Sequence, residues 1–259
     1  MRTFCMVVSY DGSAYSGWQR QSSHQSIQGT IEKRLSKLIN ETVQINGAGR
    51  TDAGVHSLSG QTASFEIEAN ISAEQLKYAL NRALPDSIYI ETVAEMPEIF
   101  HARYHAIGKT YEYLINQDVK PSPIRHNYCH YVAERLDIEA IEQAIPHFKG
   151  THDFAGFMAS GSSVENTIRN IYEFELLKEG GDLRFRISGD GFLYNMIRII
   201  VGLLIQIGRG KIPPNEVTKI ILSKDRNRAK WTAPANGLYL KKVHYPLNYD
   251  VILNGIRQS

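Results

Sequence analysis

One apolar stretch in the second half of the chain constrains the fold most strongly. Between residues 191 and 208, aliphatic side chains would cover almost every face of a helix, which predicts a helix that is buried on all sides. A single charged residue, Arg198, lies in the middle of this stretch. Asn195, Arg198 and Gln206 argue against a membrane span, so the helix requires a protein core around it.

The remaining sequence alternates between strand and helix patterns and contains no low-complexity linker. It predicts an α+β protein whose two halves, residues 1–108 and 109–259, share one continuous sheet. Strands are predicted at 3–10, 61–67, 87–93, 110–116, 168–177, 183–188 and 238–243. Helices are predicted at 26–40, 72–84, 137–148 and 191–208, with a shorter helix after Pro213 and Pro214.

The cysteine content and the N-terminus limit the class of protein. Cys5 and Cys129 are too few and too far apart for a disulfide framework or a cysteine-based metal site, which favours a reducing, cytoplasmic setting. The apolar stretch at the N-terminus is too short for the core of a signal peptide. We therefore expect a cytoplasmic protein without a membrane partner.

Neither a metal nor a nucleotide cofactor is expected. His101 and His105 are four residues apart on a segment that we predict to be extended, and no third ligand lies nearby in sequence. The glycines at 47, 49 and 54 form neither a phosphate-binding loop nor a dinucleotide motif.

Basic charge is concentrated near the end of the chain. From residue 209 onward there are ten lysines and arginines against three acids. Lys224, Arg226, Arg228 and Lys230 fall within seven residues, just before Trp231. Such a segment is suited to contact phosphates, although a solvated polar loop would have the same composition.

The segment from Gly47 to His56 contains one carboxylate, Asp52, in a glycine-rich loop. Gly49 and Gly54 permit backbone angles and close approaches that a β-carbon would forbid, so the loop could present Asp52 to a bound molecule. The alternative is that Asp52 only forms a turn within its own loop.

The string Gly-Arg-Thr-Asp-Ala-Gly-Val-His at residues 49–56 resembles the active-site signature of bacterial tRNA pseudouridine(38–40) synthases. Ser59 is one residue more than that family usually has before Gly60, which predicts a bulge in the following strand. Tyr104-His105 replaces a more usual Phe-Ser pair. Other motifs similar to the family's lie before and after this string, in the family's order. They are Tyr10-Asp11-Gly12, Gly17-Trp18-Gln19, Phe100-His101-Ala102-Arg103, Lys109-Thr110-Tyr111-Glu112-Tyr113, Asn195-Met196-Ile197-Arg198 and Thr232-Ala233-Pro234-Ala235.

The resemblance implies two ferredoxin-like halves that share a mixed, mainly antiparallel sheet. It also implies an enzyme that isomerises uridine to pseudouridine at positions 38, 39 and 40 of the tRNA anticodon stem-loop, without metal or cofactor and as a homodimer. Asp52 would be the catalytic residue. Its carboxylate could add to the ribose C1′, add to the pyrimidine C6 or remove the ribose 2′ proton, and the sequence does not choose among these roles.

The same resemblance places Arg198 beside Asp52. A buried guanidinium needs a partner, and pairing would lower the pKa of the carboxyl group and hold it ionised. From the residues alone, Arg198 could instead extend to solvent along its aliphatic stem, or pair with Asp190 or Glu216.

The resemblance implies two further substrate contacts, Tyr111 and Leu238, and Arg50 is a third candidate because it lies two residues before Asp52. Tyr111 would lie over the target base while Tyr113 packs, although two tyrosines could equally fill one face of a sheet. Leu238 would form an apolar wall for the base. Arg50 would hold a phosphate or the flipped nucleotide, or else pair with a neighbouring acid.

Two other functions are consistent with these residues. A tRNA-binding protein that has lost catalysis, acting as an RNA chaperone, would keep the same fold, but Asp52, Tyr111 and Arg198 are all present. A hydrolase with Asp52 as its base is the weaker alternative, because no metal or triad spacing supports it.

Overall fold

The computed structural model describes residues 1–162 and 164–254. The described residues form six α-helices and a ten-stranded mixed sheet, which confirms the predicted α+β class. The strands are β1 (Arg2–Tyr10), β2 (Asn46–Gly47), β3 (His56–Ile67), β4 (Ile88–Met96), β5 (Gly108–Asn116), β6 (His130–Tyr131), β7 (Gly150–Asp153), β8 (Ile168–Glu179), β9 (Asp182–Gly189) and β10 (Leu238–His244). The helices are α1 (Ile27–Ile39), α2 (Ala73–Ala83), α3 (Ile138–Ala144), α4 (Met196–Gly208), α5 (Glu216–Ser223) and α6 (Leu247–Asn254).

The chain divides into two compact units. The first contains residues 1–109 together with the chain from Tyr239 onward, and the second contains Thr110–Leu238. The last strand and helix, β10 and α6, are grouped with the first unit. The reason is that β10 pairs in parallel with β3, with Tyr239 opposite His56 and Leu240 opposite Ser57.

In the first unit, β1 lies between β3 and β4 and pairs with both in antiparallel orientation, while β2 pairs with β3. The core contains the apolar faces of these strands and of α1 and α2. Helix α1 buries Ile27, Ile31 and Leu35, at the spacing that the sequence predicted. Helix α2 ends at Ala83, because Leu84 precedes a proline and is extended.

Strand β3 begins at His56, earlier than the predicted start at residue 61. Its alternation is interrupted by a bulge, which confirms the expectation at Ser59. Val8 pairs with Gln61 but Tyr10 pairs with Ser57, and Ser59 adopts a positive φ of 53°. The Ser57 hydroxyl donates to the Val8 carbonyl and accepts from the Gln61 amide, so the bulge has its own hydrogen bonds.

The segment from His101 to His105 is a turn, and the prediction of an extended segment was wrong. The His105 amide donates to the His101 carbonyl at 3.1 Å, and the Arg103 amide donates to His101 Nδ1 at 3.1 Å. Local hydrogen bonds to a side chain of this kind compete with extended backbone.

In the second unit, β7, β8 and β9 pair in antiparallel order, and β5 is the next strand beyond β9, with β6 parallel to β5. Every residue of helix α4 except the half-buried Arg198 is buried, so the helix lies in the core. An aromatic cluster packs in the same core, with ring centroids between 5.4 and 6.2 Å apart: Phe148, Phe154, Phe157, Phe174 and Phe185.

Two helices differ from their predicted bounds at one end. The helix predicted from residue 191 begins at Met196, because Asn195 adopts a left-handed conformation with φ of 58°. The helix predicted at 137–148 changes to 3-10 geometry from Ile145 to Phe148, because Pro146 has no amide hydrogen for the α-helical ladder.

Among the described residues, none of the helices combines the length and apolar character that crossing a bilayer requires.

Candidate active site

The loop that carries Asp52 is held by one hydrogen bond between side chains and by two between backbone groups. Tyr10 and Thr51 share a hydrogen bond between their hydroxyl groups at 2.8 Å, and the Trp18 amide donates to the Thr51 carbonyl at 3.1 Å. Burial raises the pKa of Tyr10, so the phenol remains neutral. The Val55 amide donates to the Asp52 carbonyl at 3.2 Å and closes a turn. Asp52 itself is half-buried and lies on this hydrogen-bonded turn.

Close packing of two backbones fixes the same loop from the other side. A β-carbon on Gly17 would overlap the Thr51 carbonyl oxygen, and one on Gly12 would overlap the Val55 carbonyl oxygen. Gly17 also has a positive φ of 92°. The segment from Gly12 to Trp18 therefore fits against the Asp52 loop only because glycine occupies these positions.

The loop's own glycines have different uses. Gly54 has a positive φ of 78°, as the third residue of a tight turn often requires. Gly49 instead leaves room for Lys109, whose Nζ would lie 2.5 Å from a β-carbon at that position. Sequence reasoning did not single out Lys109, although it begins the quoted Lys-Thr-Tyr-Glu-Tyr motif.

Arg50 lies on the exposed side of the loop. Its Nε donates to Gln19 Oε1 at 3.1 Å, an amide partner rather than the acid that was considered as an alternative. The hydrogen bond orients the guanidinium two residues before Asp52 without neutralising its charge.

His56 lies at the end of the loop and contacts two neighbouring segments. Its side chain is 2 % exposed, and the Gly12 amide donates to its Nδ1 at 3.2 Å. Its ring stacks on Tyr239 with centroids 4.9 Å apart. The end of the loop is therefore attached to both β10 and the segment after β1.

In the second unit, Tyr111 and Tyr113 have different surroundings. Tyr113 is fully buried, its hydroxyl donates to the Pro234 carbonyl at 2.8 Å, and burial raises its pKa. Tyr111 packs edge-on against Phe192 with centroids 5.4 Å apart. The expectation that Tyr113 packs is consistent with these contacts.

Arg198 connects α4 to the segment that follows the basic cluster. Its Nε donates to the Ala233 carbonyl at 2.8 Å, and the Ala233 amide donates to the Arg198 carbonyl at 2.9 Å. Its Nη1 donates to Asn195 Oδ1 at 2.8 Å. One turn further along α4, a β-carbon on Gly202 would come within 2.7 Å of the Trp231 carbonyl oxygen. The segment is thus fixed against the helix at two points.

The two acids considered as structural partners of Arg198 have other contacts. Glu216 pairs with Arg228 at 3.0 Å and with Lys219 at 3.2 Å. Asp190 accepts a hydrogen bond from the Asn170 amide at 2.9 Å.

Three of the basic residues before Trp231 form ion pairs or hydrogen bonds within the second unit. Lys224 pairs with Asp153 at 2.7 Å and Arg228 with Glu216. Arg226 donates to the Ala229 carbonyl and to Thr232 Oγ1, and burial lowers its pKa. Leu238, at the start of β10, is 6 % exposed.

The sequence matches the family described as tRNA pseudouridine synthase over residues 6–105 and 144–246. The chain belongs to this family. It is 46% identical over 245 residues to tRNA pseudouridine synthase A of Acetivibrio thermocellus, an alignment that covers 95% of this chain and 100% of the relative. It is 42% identical over 241 residues to the protein of the same name from Staphylococcus saprophyticus, covering 93% of this chain and 90% of that one.

A solved structure is also similar, at 15% identity and a TM-score of 0.32. It is the structure of an H/ACA RNP bound to a substrate RNA containing 2′-deoxyuridine, and the alignment covers 79% of this chain and 52% of that chain.

Replacement of Gly17 by alanine should disrupt the Asp52 loop. The added carbon would overlap the Thr51 carbonyl, and the backbone angle would also be strained. Gly210→Ala is the matched control, because Gly210 has a positive φ of 68° but open space around a β-carbon. We expect Gly17→Ala to lower Tm more than the control does and to speed hydrogen exchange at the Trp18 and Val55 amides. Equal effects on Tm and unchanged exchange would show that the packing is not tight.

Proposed function

We propose that this chain isomerises uridine to pseudouridine in tRNA, at positions 38, 39 and 40 of the anticodon stem-loop, without metal or cofactor. Membership of the tRNA pseudouridine synthase family supports the reaction and the class of substrate. The observation that carries the proposal for the site is that the half-buried Asp52 lies on a turn held by Tyr10, Gly17 and Trp18.

The reaction breaks the bond between uracil N1 and ribose C1′, rotates the base and joins its C5 to C1′. C5 loses its hydrogen and N1 regains a proton, so no oxidant or reductant is needed. We assign the nucleophile or base role to Asp52, since an ionised carboxylate can attack C1′ or C6 or remove the 2′ proton. A loop without backbone freedom suits this role, because reacting groups must be aligned before the bond breaks.

We assign Tyr111, Leu238 and Arg50 to the flipped nucleotide. A base that leaves its helical stack needs an aromatic or apolar surface, which Tyr111 and Leu238 can supply. Arg50 is exposed, and its Nε is already oriented by Gln19, which leaves its terminal nitrogens for a phosphate.

We propose that Arg198 pairs with Asp52 and keeps the carboxylate ionised during catalysis. A planar guanidinium can bind a carboxylate through two parallel hydrogen bonds, which fixes the direction of the acid as well as its charge. The support is that two acceptors, the Ala233 carbonyl and Asn195 Oδ1, already orient this guanidinium.

The basic segment at Lys224, Arg226 and Arg228 is proposed to contact RNA phosphates. Lys224 and Arg228 are 57% and 44% exposed, so a phosphate can reach both cations, while their partners Asp153 and Glu216 are 26% and 17% exposed. A phosphate would compete with these carboxylates for the two cations. The proposal extends to a cytoplasmic homodimer, and two buried free thiols are compatible with a reducing compartment.

Replacement of Asp52 by asparagine should remove activity while tRNA affinity stays within a few-fold. The amide has nearly the same shape but is neither nucleophilic nor basic, so the rate should fall by at least about 10²–10⁴-fold. Tritium release from C5-labelled tRNA measures the rate, and filter binding measures affinity. Asp86→Asn, an exposed acid in the same unit, is the control and should behave as wild type. Turnover by Asp52→Asn near the wild-type rate would remove Asp52 from the mechanism.

Alanine at Lys224, Arg226 and Arg228 together should weaken tRNA binding and flatten the plot of log affinity against log salt. Each lost phosphate contact reduces counterion release. The control is alanine at Lys33, Arg34 and Lys37, which removes the same charge from the exposed side of α1. If both triple variants change the slope equally, net charge rather than this segment determines binding.

Arg198→Met should lower the single-turnover rate by orders of magnitude and move the acid limb of the pH–rate profile to higher pH, because a nearby positive charge favours the ionised acid. Since Ala233 is buried and would lose the donor to its carbonyl, we expect a drop in Tm of a few degrees, from about 1–3 kcal/mol of stability. Arg198→Lys, which keeps the charge, should restore part of the acid limb. A fully active Arg198→Met with an unmoved acid limb would contradict the pairing.

A further inference from the structure

Asn195 combines three features at the start of α4. It is the residue immediately before the helix, it has a left-handed backbone with φ of 58° and ψ of 8°, and its side chain makes no capping hydrogen bond to the helix. Asparagine before a helix normally has extended backbone and accepts a bond from an amide in the first turn. Asn195 therefore does not cap the helix with its side chain, as an asparagine at this position usually does.

The side-chain oxygen of Asn195 is used by Arg198 instead. Nη1 of Arg198 donates to Oδ1 at 2.8 Å, three residues along the chain. The carbonyl of Asn195 still accepts the first helical hydrogen bond, from the Ile199 amide at 2.9 Å. The backbone of Asn195 therefore bonds to the helix, while its side chain bonds to Arg198.

Two acceptors on different atoms define the plane of a guanidinium. For Arg198 these are the Ala233 carbonyl at Nε and Asn195 Oδ1 at Nη1, and each is 2.8 Å away. One hydrogen bond would leave rotation about that bond free, whereas two fix the plane. Ala233 is itself held against α4 by its amide, which donates to the Arg198 carbonyl.

We propose that Asn195 is a positioning residue for catalysis, which acts by directing the guanidinium of Arg198. This inference rests on the proposed pairing of Arg198 with Asp52. Asparagine is suited to the task because it is among the few residues other than glycine that adopt the left-handed region readily, and it also carries an acceptor. Glycine would keep the backbone but lose the acceptor, and alanine would lose both advantages.

These two substitutions separate a positioning role from a structural one. Asn195→Gly should lower the single-turnover rate by about 10- to 100-fold, since a displacement of about 1 Å in a catalytic group can cost that much. Its tRNA affinity should stay within twofold and its Tm within about 2 °C. Asn195→Ala should show the same loss of rate but a Tm that is several degrees lower, because alanine is strained at this φ. Asn40→Gly is the control, since Asn40 is a left-handed asparagine after α1 with φ of 57°.

A purely structural role gives a different result. The rate would then follow Tm, with Asn195→Gly close to wild type and only Asn195→Ala impaired. A rate for Asn195→Gly within twofold of wild type would overturn the inference.

A double-mutant cycle tests whether Asn195 acts through Arg198. With enzyme in excess and long incubation, adding Asn195→Gly to Arg198→Met should change the remaining rate by less than about threefold, because the group that Asn195 directs is already absent. A further loss as large as in the wild-type background would overturn the inference. An inactive Arg198→Met with a fully active Asn195→Gly would contradict this inference alone, whereas a fully active Arg198→Met would contradict the proposed pairing with Asp52.

Discussion

The burial of α4 on all sides is the constraint on which the second unit depends. Every residue of this helix except Arg198 is buried, so each neighbouring element must pack against it closely. At Gly202 the packing brings the Trp231 carbonyl so near that a side chain would not fit. The same packing holds Ala233 where its carbonyl meets the Arg198 side chain. A helix that is buried for stability thereby determines where its one charged group can point.

In the first unit, close contacts between backbones hold the turn that carries Asp52. Asp52 lies on a turn whose neighbours, Thr51 and Val55, are approached by Gly17 and Gly12 at distances that exclude a β-carbon. In both units the catalytic candidate is thus oriented by groups that do not react. Substitutions at these supports would change geometry while leaving the proposed chemical groups in place.

Local patterns in the sequence predicted most elements, and the errors have physical reasons. The apolar spacing of α1 and the proline after α2 predicted these helices correctly, because burial and the steric effect of a proline on the preceding residue act within a few residues. The start of α4 was placed too early, since the apolar pattern continues through residues 191–194 and does not report the backbone angle at Asn195. The early start of β3 was missed because the bulge at Ser59 breaks the alternation.

The sequence nominates the candidate residues of the site, whereas the groups that hold them in place are not visible in the sequence. The motif singled out Asp52, whereas the contact between Lys109 and Gly49 joins residues that no local pattern connects. The ion pair of Lys224 with Asp153 is equally long-range, and it changes the interpretation of the basic segment. A cation that already has a carboxylate partner gives less net attraction to distant RNA, yet it keeps its side chain extended and near the surface. In the RNA contact that we propose, such a pair would favour phosphate binding only at short range, which suits a segment that fixes the register of the RNA more than one that attracts it from solution.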